Sequence, residues 1–451
     1  MMMTQKITQT KAFLIIGLGQ TGLSCARFLV GKGYAVAMMD TRMQPPSLDI
    51  VQNELPEVLV QTGGLDSDLM LKSDTIVLSP GVDPRLPEIK AAREQGIEII
   101  GDIELFTRYI NKPVIAITGS NGKSTVTTML AEMAVMAGKD VQVGGNLGMP
   151  ALALITNPEP DFYILELSSF QLETVSSLNA HAAVVLNISP DHLDRYDDVE
   201  QYQNAKAKIY VGSGTMIINR DDALVNSWSS ECRNQIGFTL ETPADNEFGL
   251  IEQAGEIYLA FGRQILMSTA ELQVAGDHNI TNALAALALG QAMALPMTAM
   301  LEAVKQYRGL PHRCQLVADV QGVRWINDSK ATNVGACIAA IEGLVSNRNI
   351  ILIAGGVGKD QIFSDLTPVF ESAVKGLVLI GQDAQQIAEV APVSVHQQTA
   401  HDMADAINKA KSIAKTGDIV LLSPACASFD MYNSYGERGD AFIQAVEAQV
   451  S

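Results

Sequence analysis

No apolar run in the 451-residue chain approaches the ~20 residues needed to span a membrane. The opening stretch, MMMTQKITQTK, has no apolar segment of signal-peptide length before a strand pattern begins. Cysteine is scarce. Cys25, Cys232, Cys314, Cys337 and Cys426 are odd in number and far apart, so they form neither a disulfide framework nor a CxxC metal knuckle. Positive charge is also short: 31 Lys+Arg face 50 Asp+Glu, a net charge of −19. With no basic stripe to offset it, non-specific binding to nucleic acid or to an anionic membrane is disfavoured. Short repeats and low-complexity linkers are missing too. What is present is apolar sequence, 47% of the chain, enough for several buried cores and too much for a disordered protein. At ~150 residues per domain the length suggests about three domains. The expectation is an acidic protein of the reducing cytoplasm with small-molecule partners, no nucleic-acid or membrane partner, and a monomeric state.

Strands rich in Val, Ile and Leu alternate with helical patterns almost from end to end. Ala12–Ile16, Ala35–Met39, Thr75–Leu78 and Ile97–Ile100 read as one series. Pro113–Thr118, Phe162–Leu165 and Ala183–Asn187 begin a second, which turns irregular and β-rich between Gly214 and Thr269. Asn349–Ala354, Gly376–Ile380 and Asp418–Leu422 form a third, preceded by a hairpin around Gln321-Gly322. Continuously apolar strands between helices argue for parallel sheets covered on both faces. The expected fold is α/β: three domains, 1–102, 103–310 and 311–451, each with a mostly parallel, doubly wound, Rossmann-like sheet. Ligands in such sheets bind outside the carboxyl ends of the strands.

Two glycine loops lie at such ends. Gly17-Leu18-Gly19-Gln20-Thr21-Gly22 fits the dinucleotide fingerprint, with Asp40 ending the next strand where an acid would accept a ribose hydroxyl. The physical content is narrower than a nicotinamide site. Glycines admit phosphate, a helix start favours negative charge, and any nucleotide diphosphate could use both. No hydride-transfer constellation accompanies the loop. The second loop, Gly119-Ser120-Asn121-Gly122-Lys123-Ser124-Thr125, resembles a phosphate loop shortened by one glycine, since Ile117 stands where that glycine is expected. Its mechanics survive: backbone N–H groups wrap phosphate, Lys123 supplies charge, and Ser124 or Thr125 can hold Mg²⁺. A lysine opening a helix is poorly placed unless an anion compensates. ATP is the default ligand, and the central domain reads as a phosphate-loop ATPase.

Glu166 follows Phe162–Leu165, where a phosphate-loop protein needs an acidic magnesium ligand; its bland alternative is a helix-start acid. His192 follows a third strand of the same sheet, which raises it above an ordinary loop histidine. Lys206 reads, from composition, as a solvated lysine.

GSNGKST, LELSSFQLE (165–173), NISPDHLDRY (187–196), YQNAKAKIY (202–210), GDHNITNALAA (276–286), LPHR (310–313), NDSKATN (327–333) and LSPACASFD (422–430) together resemble the Mur ligases, the ATP-dependent amide-forming enzymes of peptidoglycan synthesis. Within the family, IIGLGQTG, Asp40-Thr41-Arg42 and the LSPACASFD…RGDAF ending look like the member that adds D-glutamate to UDP-N-acetylmuramoyl-L-alanine through an acyl phosphate. Another Mur ligase or a folylpolyglutamate-type ligase is the alternative.

The resemblance replaces the nicotinamide reading with a sugar-nucleotide one. It implies that Thr21, Asp40, Thr41, Arg42, Ser79, Gly81 and Asn146 serve the UDP substrate. ATP would be met by Gly119 to Thr125, Asn282, Arg313 and Asp328. Thr332, Lys359, Ser428 and Tyr435 would receive D-glutamate, the last departing from a position where the family often has phenylalanine. Lys123, His192, Lys206 and Lys330 would be catalytic. Two Mg²⁺ would be held by Ser124, Glu166, His192 and Lys206, the lysine as a CO₂-derived carbamate. Lys208, on another helix face, is not expected to substitute for it.

Overall fold

The computed structural model describes residues 11–189, 191, 195–196, 198–230, 232–274, 276–358 and 361–449. His192 and Lys359 therefore lie outside the described residues.

The first sheet holds β1 (Ala12–Ile16), β2 (Ala35–Asp40), β3 (Leu59–Thr62), β4 (Thr75–Leu78) and β5 (Glu98–Gly101) in the order β3-β2-β1-β4-β5. All its pairings are parallel. The order reverses beside β1, so the loops after β1 and β4 flank the crevice where such sheets bind ligands.

The second sheet holds β6 (Val114–Thr118), β7 (Val141–Gly145), β8 (Phe162–Glu166), β9 (Ala182–Val185), β10 (Thr215–Asn219), β11 (Gln235–Phe238), β12 (Glu247–Gln253), β13 (Glu256–Phe261) and β14 (Gln264–Ser268). Their order is β14-β13-β12-β11-β10-β9-β6-β8-β7. Only β12–β13 and β13–β14 pair antiparallel, which accounts for the irregular β-rich sequence before residue 269. The third sheet, β15 (Gln315–Val320), β16 (Val323–Asn327), β17 (Ile350–Gly355), β18 (Val374–Ile380), β19 (His396–Thr399) and β20 (Ile419–Leu422), runs β15-β16-β20-β17-β18-β19. Its β15–β16 hairpin turns at Gln321 and Gly322, both at positive φ. The fold is the mostly parallel, three-sheet α/β architecture expected.

The chain divides into two compact units: 1–269 with 282–304, and 270–281 with 305–451. The first two sheets share a unit because one core runs through both. Ile15 and Val77 of the first sheet belong to the same buried cluster as Ala116 and Leu165 of the second. The short helix Asp102–Thr107 supplies Ile103, Leu105 and Phe106 to it. The second unit packs its sheet between two buried clusters, one around Leu352 and Leu377, the other around Trp325 and Ile353. Among the described residues, no helix is long and apolar enough to cross a membrane.

Candidate functional site

The second glycine loop joins β6 to the helix Lys123–Met136. It is pinned from the neighbouring strand end. The Ser120 amide donates to the Asn187 carbonyl (2.9 Å), and the Asn121 amide to Asn187 Oδ1 (2.9 Å). Asn187 Nδ2 returns a bond to the Asn121 carbonyl (3.1 Å). Gly122, at φ 83°, takes a left-handed conformation that a side chain disfavours, and a Cβ there would fall 2.4 Å from Asn282 Oδ1. Asn282 thus packs directly on the helix start. Lys123 Nζ donates to the Gly119 (2.8 Å) and Ser120 (2.9 Å) carbonyls, which holds a cation inside the loop.

Glu166 closes β8 and is buried. Ser124 Oγ donates to its Oε2 (2.6 Å), and Asn146 Nδ2 to its Oε1 (2.7 Å). Lys206, on the helix Val199–Ala207, is only 2% exposed. Its Nζ donates to the Gly119 carbonyl (2.9 Å) and Thr118 Oγ1 (3.3 Å), and lies 4.8 Å from the Tyr202 ring centre. Burial pushes its pKa well down and the Lys123 charge pushes the same way, against weaker opposition from Asp191 and Glu166. The amine is therefore neutral far more readily than a surface lysine's. Lys208 turns elsewhere and donates to the Glu173 carbonyl (2.6 Å). The structure thus brings together Lys123, Ser124, Asn146, Glu166 and Lys206. Among the described residues, no three His, Cys, Asp or Glu side chains gather as a metal site. The set here is a hydroxyl, a carboxylate and a buried amine.

At the first glycine loop, Asp40 is a brace. One oxygen accepts from the Leu18 amide (2.7 Å) and Arg42 Nη2 (2.7 Å), the other from the Arg42 amide and Nε (2.9 Å each). Burial raises its pKa, but these bonds outweigh that and leave it below the usual carboxylate range. Arg42, half exposed, is aimed by it, and Thr41 is exposed beside it. Ser79 Oγ donates to the Gly17 carbonyl (2.9 Å), tying the loop after β4 to the loop after β1. Gly22 is needed for close packing: a Cβ there would lie 1.9 Å from the Gly17 carbonyl oxygen. Thr21 is half-buried at the helix start and Gly81 is exposed.

In the second unit, Asp328 follows β16. Its carboxylate accepts from Ser423 Oγ (2.8 Å) and the Cys314 amide (3.2 Å). Burial lifts its pKa to about 7, against the pull of Ser423, that amide and Arg313. Lys330 Nζ sits 3.9 Å from the Tyr435 ring centre, while the Tyr435 carbonyl accepts from Ser329 Oγ (2.8 Å). Thr332 is half-buried, and its amide donates to the Lys330 carbonyl (2.8 Å). Ser428 is buried where its carbonyl accepts the Met431 and Tyr432 amides, and Phe429 to Asn433 line a cavity of about 380 Å³ beyond it. A residue that sequence reasoning missed is Arg438, 1% exposed. It donates to Ser329 Oγ (2.9 Å), the Ser329 carbonyl (2.8 Å) and the Cys426 carbonyl (3.1 Å), so it braces the strand ends that carry Asp328 and Ser428. Its only sequence signal was its place in RGDAF.

A second cavity, about 400 Å³, is lined by Lys112, Val114, Ser177 and His181 at the amino ends of β6 and β9. It lies at the wrong end of the strands for the chemistry above.

Three family models match the chain: Mur ligase MurD-like, N-terminal domain over 11–101, Mur ligase middle domain over 117–290, and Mur ligase, glutamate ligase domain over 312–426. The UDP-N-acetylmuramoylalanine–D-glutamate ligase of Nitrosococcus oceani is 53% identical over 438 residues, covering 97% of each chain. That of Acinetobacter baylyi is 47% identical over 443 residues, covering 97% of this chain and 98% of its own. A pseudomurein peptide ligase type C from Methanothermus fervidus superposes with a TM-score of 0.61 at 19% identity, covering 97% and 100% of the two chains. The UDP-N-acetylmuramate-alanine ligase of Thermotoga maritima does so with 0.61 at 16% identity, covering 98% and 100%. At such identities these two structures speak for the fold alone.

Proposed function

The chain belongs to the Mur ligase family, and from that premise we propose that it is an ATP-dependent ligase joining D-glutamate to UDP-N-acetylmuramoyl-L-alanine in cytoplasmic peptidoglycan precursor synthesis. The observation that carries the reading is the phosphate loop, with Lys123 inside it and Ser124 on the Glu166 carboxylate.

A carboxylate does not condense with an amine unaided at neutral pH, because its oxygen is too poor a leaving group. In the first step the alanyl carboxylate oxygen attacks the γ-phosphorus of ATP. The bond to the β-phosphate oxygen breaks, giving an acyl phosphate and ADP. In the second, the D-glutamate nitrogen attacks the carbonyl carbon, the amine loses a proton, and inorganic phosphate leaves. Both steps crowd anions. Lys123 answers this from within the loop, whose backbone Asn187 holds in place. Thr125 and Asn282 complete the ATP side, with Arg313 and Asp328 assigned to the same nucleotide. Asp40 aims Arg42 at the UDP end, where Thr21, Thr41, Ser79 and Gly81 are further contacts, while Asn146, bonded to Glu166, meets the same substrate near the phosphate loop. Thr332, Ser428 and Tyr435, with Lys359 outside the described residues, receive D-glutamate, and Lys330 adds a cation.

Glu166 and Ser124 suit a hard divalent cation, being a buried carboxylate and a hydroxyl with their oxygens 2.6 Å apart. With His192 and Lys206 they would hold two Mg²⁺. Magnesium, when bound, supplies positive charge to the phosphoryl oxygens. Lys206 fits only if its amine changes sign. Its neutral nitrogen can add to CO₂ and lose a proton, leaving a carbamate whose N–H still reaches the Gly119 carbonyl and whose oxygens can meet metal. Protein loaded with ¹³CO₂ should give a carbamate carbon resonance that Lys206→Ala lacks; the same resonance in both would refute the modification.

The test of the function is product analysis with UDP-N-acetylmuramoyl-L-alanine, MgATP and D- or L-glutamate. An amide product and ADP with the D isomer alone are expected. Product with L-glutamate, or ADP without amide, would overturn the reading.

A further inference from the structure

The sugar nucleotide of the proposed reaction is held at one end by the first sheet and reacts at the other beside the phosphate loop. What fixes the spacing of these two places lies in neither. The loop after β4 continues from Ser79 and Gly81 into Val82–Arg85. There, two arginines cross in opposite directions. Arg195 Nη2 donates to the Val82 carbonyl (3.0 Å), and Arg85 Nη2 donates to the Arg195 carbonyl.

Each arginine is anchored behind its reach. Arg195 pairs with Glu173 (2.8 Å), with both side chains largely buried at 11% and 13% exposure, and stacks 4.7 Å over the Phe170 ring. Glu173 ends the short helix that begins just past Glu166. Arg85 forks onto the Asp83 carboxylate and also reaches Gln201 Oε1 (3.3 Å), on the helix that carries Lys206. Beyond the arginines the packing continues. The Arg85 guanidinium lies 5.8 Å from the Tyr196 ring centre, and Tyr196 meets Tyr202 edge-on at 5.6 Å. Tyr202 then shares a 2.8 Å hydrogen bond with Ser120 of the phosphate loop. The contacts run unbroken from the loop after β4 to the triphosphate site.

We infer that Arg85 and Arg195 are positioning residues that buckle the sugar-nucleotide loop to the helices bearing the phosphoryl-transfer groups. The inference rests on the function proposed above. Neither arginine touches a reacting atom. Together they fix where the Ser79–Gly81 loop stands relative to the phosphate loop, so loosening them should weaken the hold on the sugar nucleotide and leave the ATP side alone.

Arg85 is the residue to change, because removing Arg195 would strand the buried Glu173 carboxylate. Arg85→Ala should raise the KM for the sugar nucleotide about tenfold, the worth of one charge-assisted hydrogen bond. The KM for ATP and the melting temperature should not move, and Arg85→Lys should recover part of the loss, since a single ammonium cannot reproduce the fork. An unchanged sugar-nucleotide KM would overturn the inference. So would a fall in kcat that tracks a lower melting temperature with every KM constant, which marks a merely structural arginine. The calorimetric Kd of the sugar nucleotide should show the same shift without turnover, so failure of the buckle can be told from failure of the proposed reaction.

Discussion

Asp328→Asn should remove most of the second unit's loss of stability between pH 5 and pH 8. Asp328 is a buried acid whose pKa rises from 3.8 to about 7 on folding, chiefly because burial penalises the charge. An acid with a raised folded pKa binds its proton more tightly in the native state. The stability it permits is full below about pH 4 and is lost as pH rises through about 7. One pKa unit is ~1.4 kcal/mol, so integrating from pH 5 to pH 8 gives a loss of about 3 kcal/mol. The neighbouring thiols do not confuse the window. Burial pushes Cys314 and Cys337 upward, so both stay neutral across it. His278, held down by burial, acts with opposite sign but equally in both proteins and cancels in the difference. The amide is near-isosteric: its oxygen can accept from Cys314, and the Ser423 hydroxyl can rotate to accept from its nitrogen. The chain has two tryptophans, and Trp325 is buried on β16 three residues before Asp328. With Trp228→Phe as background, urea unfolding followed by fluorescence reports this unit. Equal pH slopes in the background protein and its Asp328→Asn derivative would refute the reasoning.

Lys123→Ala should lower turnover by about 10²–10³ without unfolding the protein, the usual cost of one preorganised electrostatic group; near-normal ADP release from a folded variant would contradict the assignment. Gly122→Ala should weaken nucleotide binding and lower the melting temperature, because the left-handed conformation costs an L-residue ~1–2 kcal/mol and the new methyl meets Asn282; wild-type values of both would be decisive against it. Asp40→Ala frees Arg42 and the Leu18 amide together, so the sugar-nucleotide KM should rise while the ATP KM holds, and steady-state kinetics with each substrate varied will read the difference.

The fold was legible where strands are buried on both faces. β1, β4, β6, β8 and β17 are near-unbroken apolar runs that nothing but a covered parallel strand explains. The sequence reading passed over β3, β7 and β19, and each is the outermost strand of its sheet. Their sequences, LVQT, VQVGG and HQQT, carry glutamine and glycine because an edge is half solvated and need not be apolar. At the site the same division holds. Both glycine loops announce phosphate, because backbone approach and left-handed φ demand glycine wherever the rest of the chain lies. Lys206 announces nothing, because its chemistry is made by distant residues. Thr118 and Gly119, its hydrogen-bond partners, lie 88 and 87 positions away, and burial with the nearby Lys123 charge turns a solvated ammonium into an amine that is readily neutral. Arg438 is hidden in the same way, its partner Ser329 being 109 residues off. Asp40 shows the converse case. An acid at the end of β2 suits a ribose, and its four accepted bonds, one from Leu18 in the glycine loop and three from Arg42, also make it the brace that aims the arginine two residues on. A motif therefore fixes which backbone a ligand can approach, while the charge state and aim of the side chains around it are properties of burial, which only the folded chain supplies.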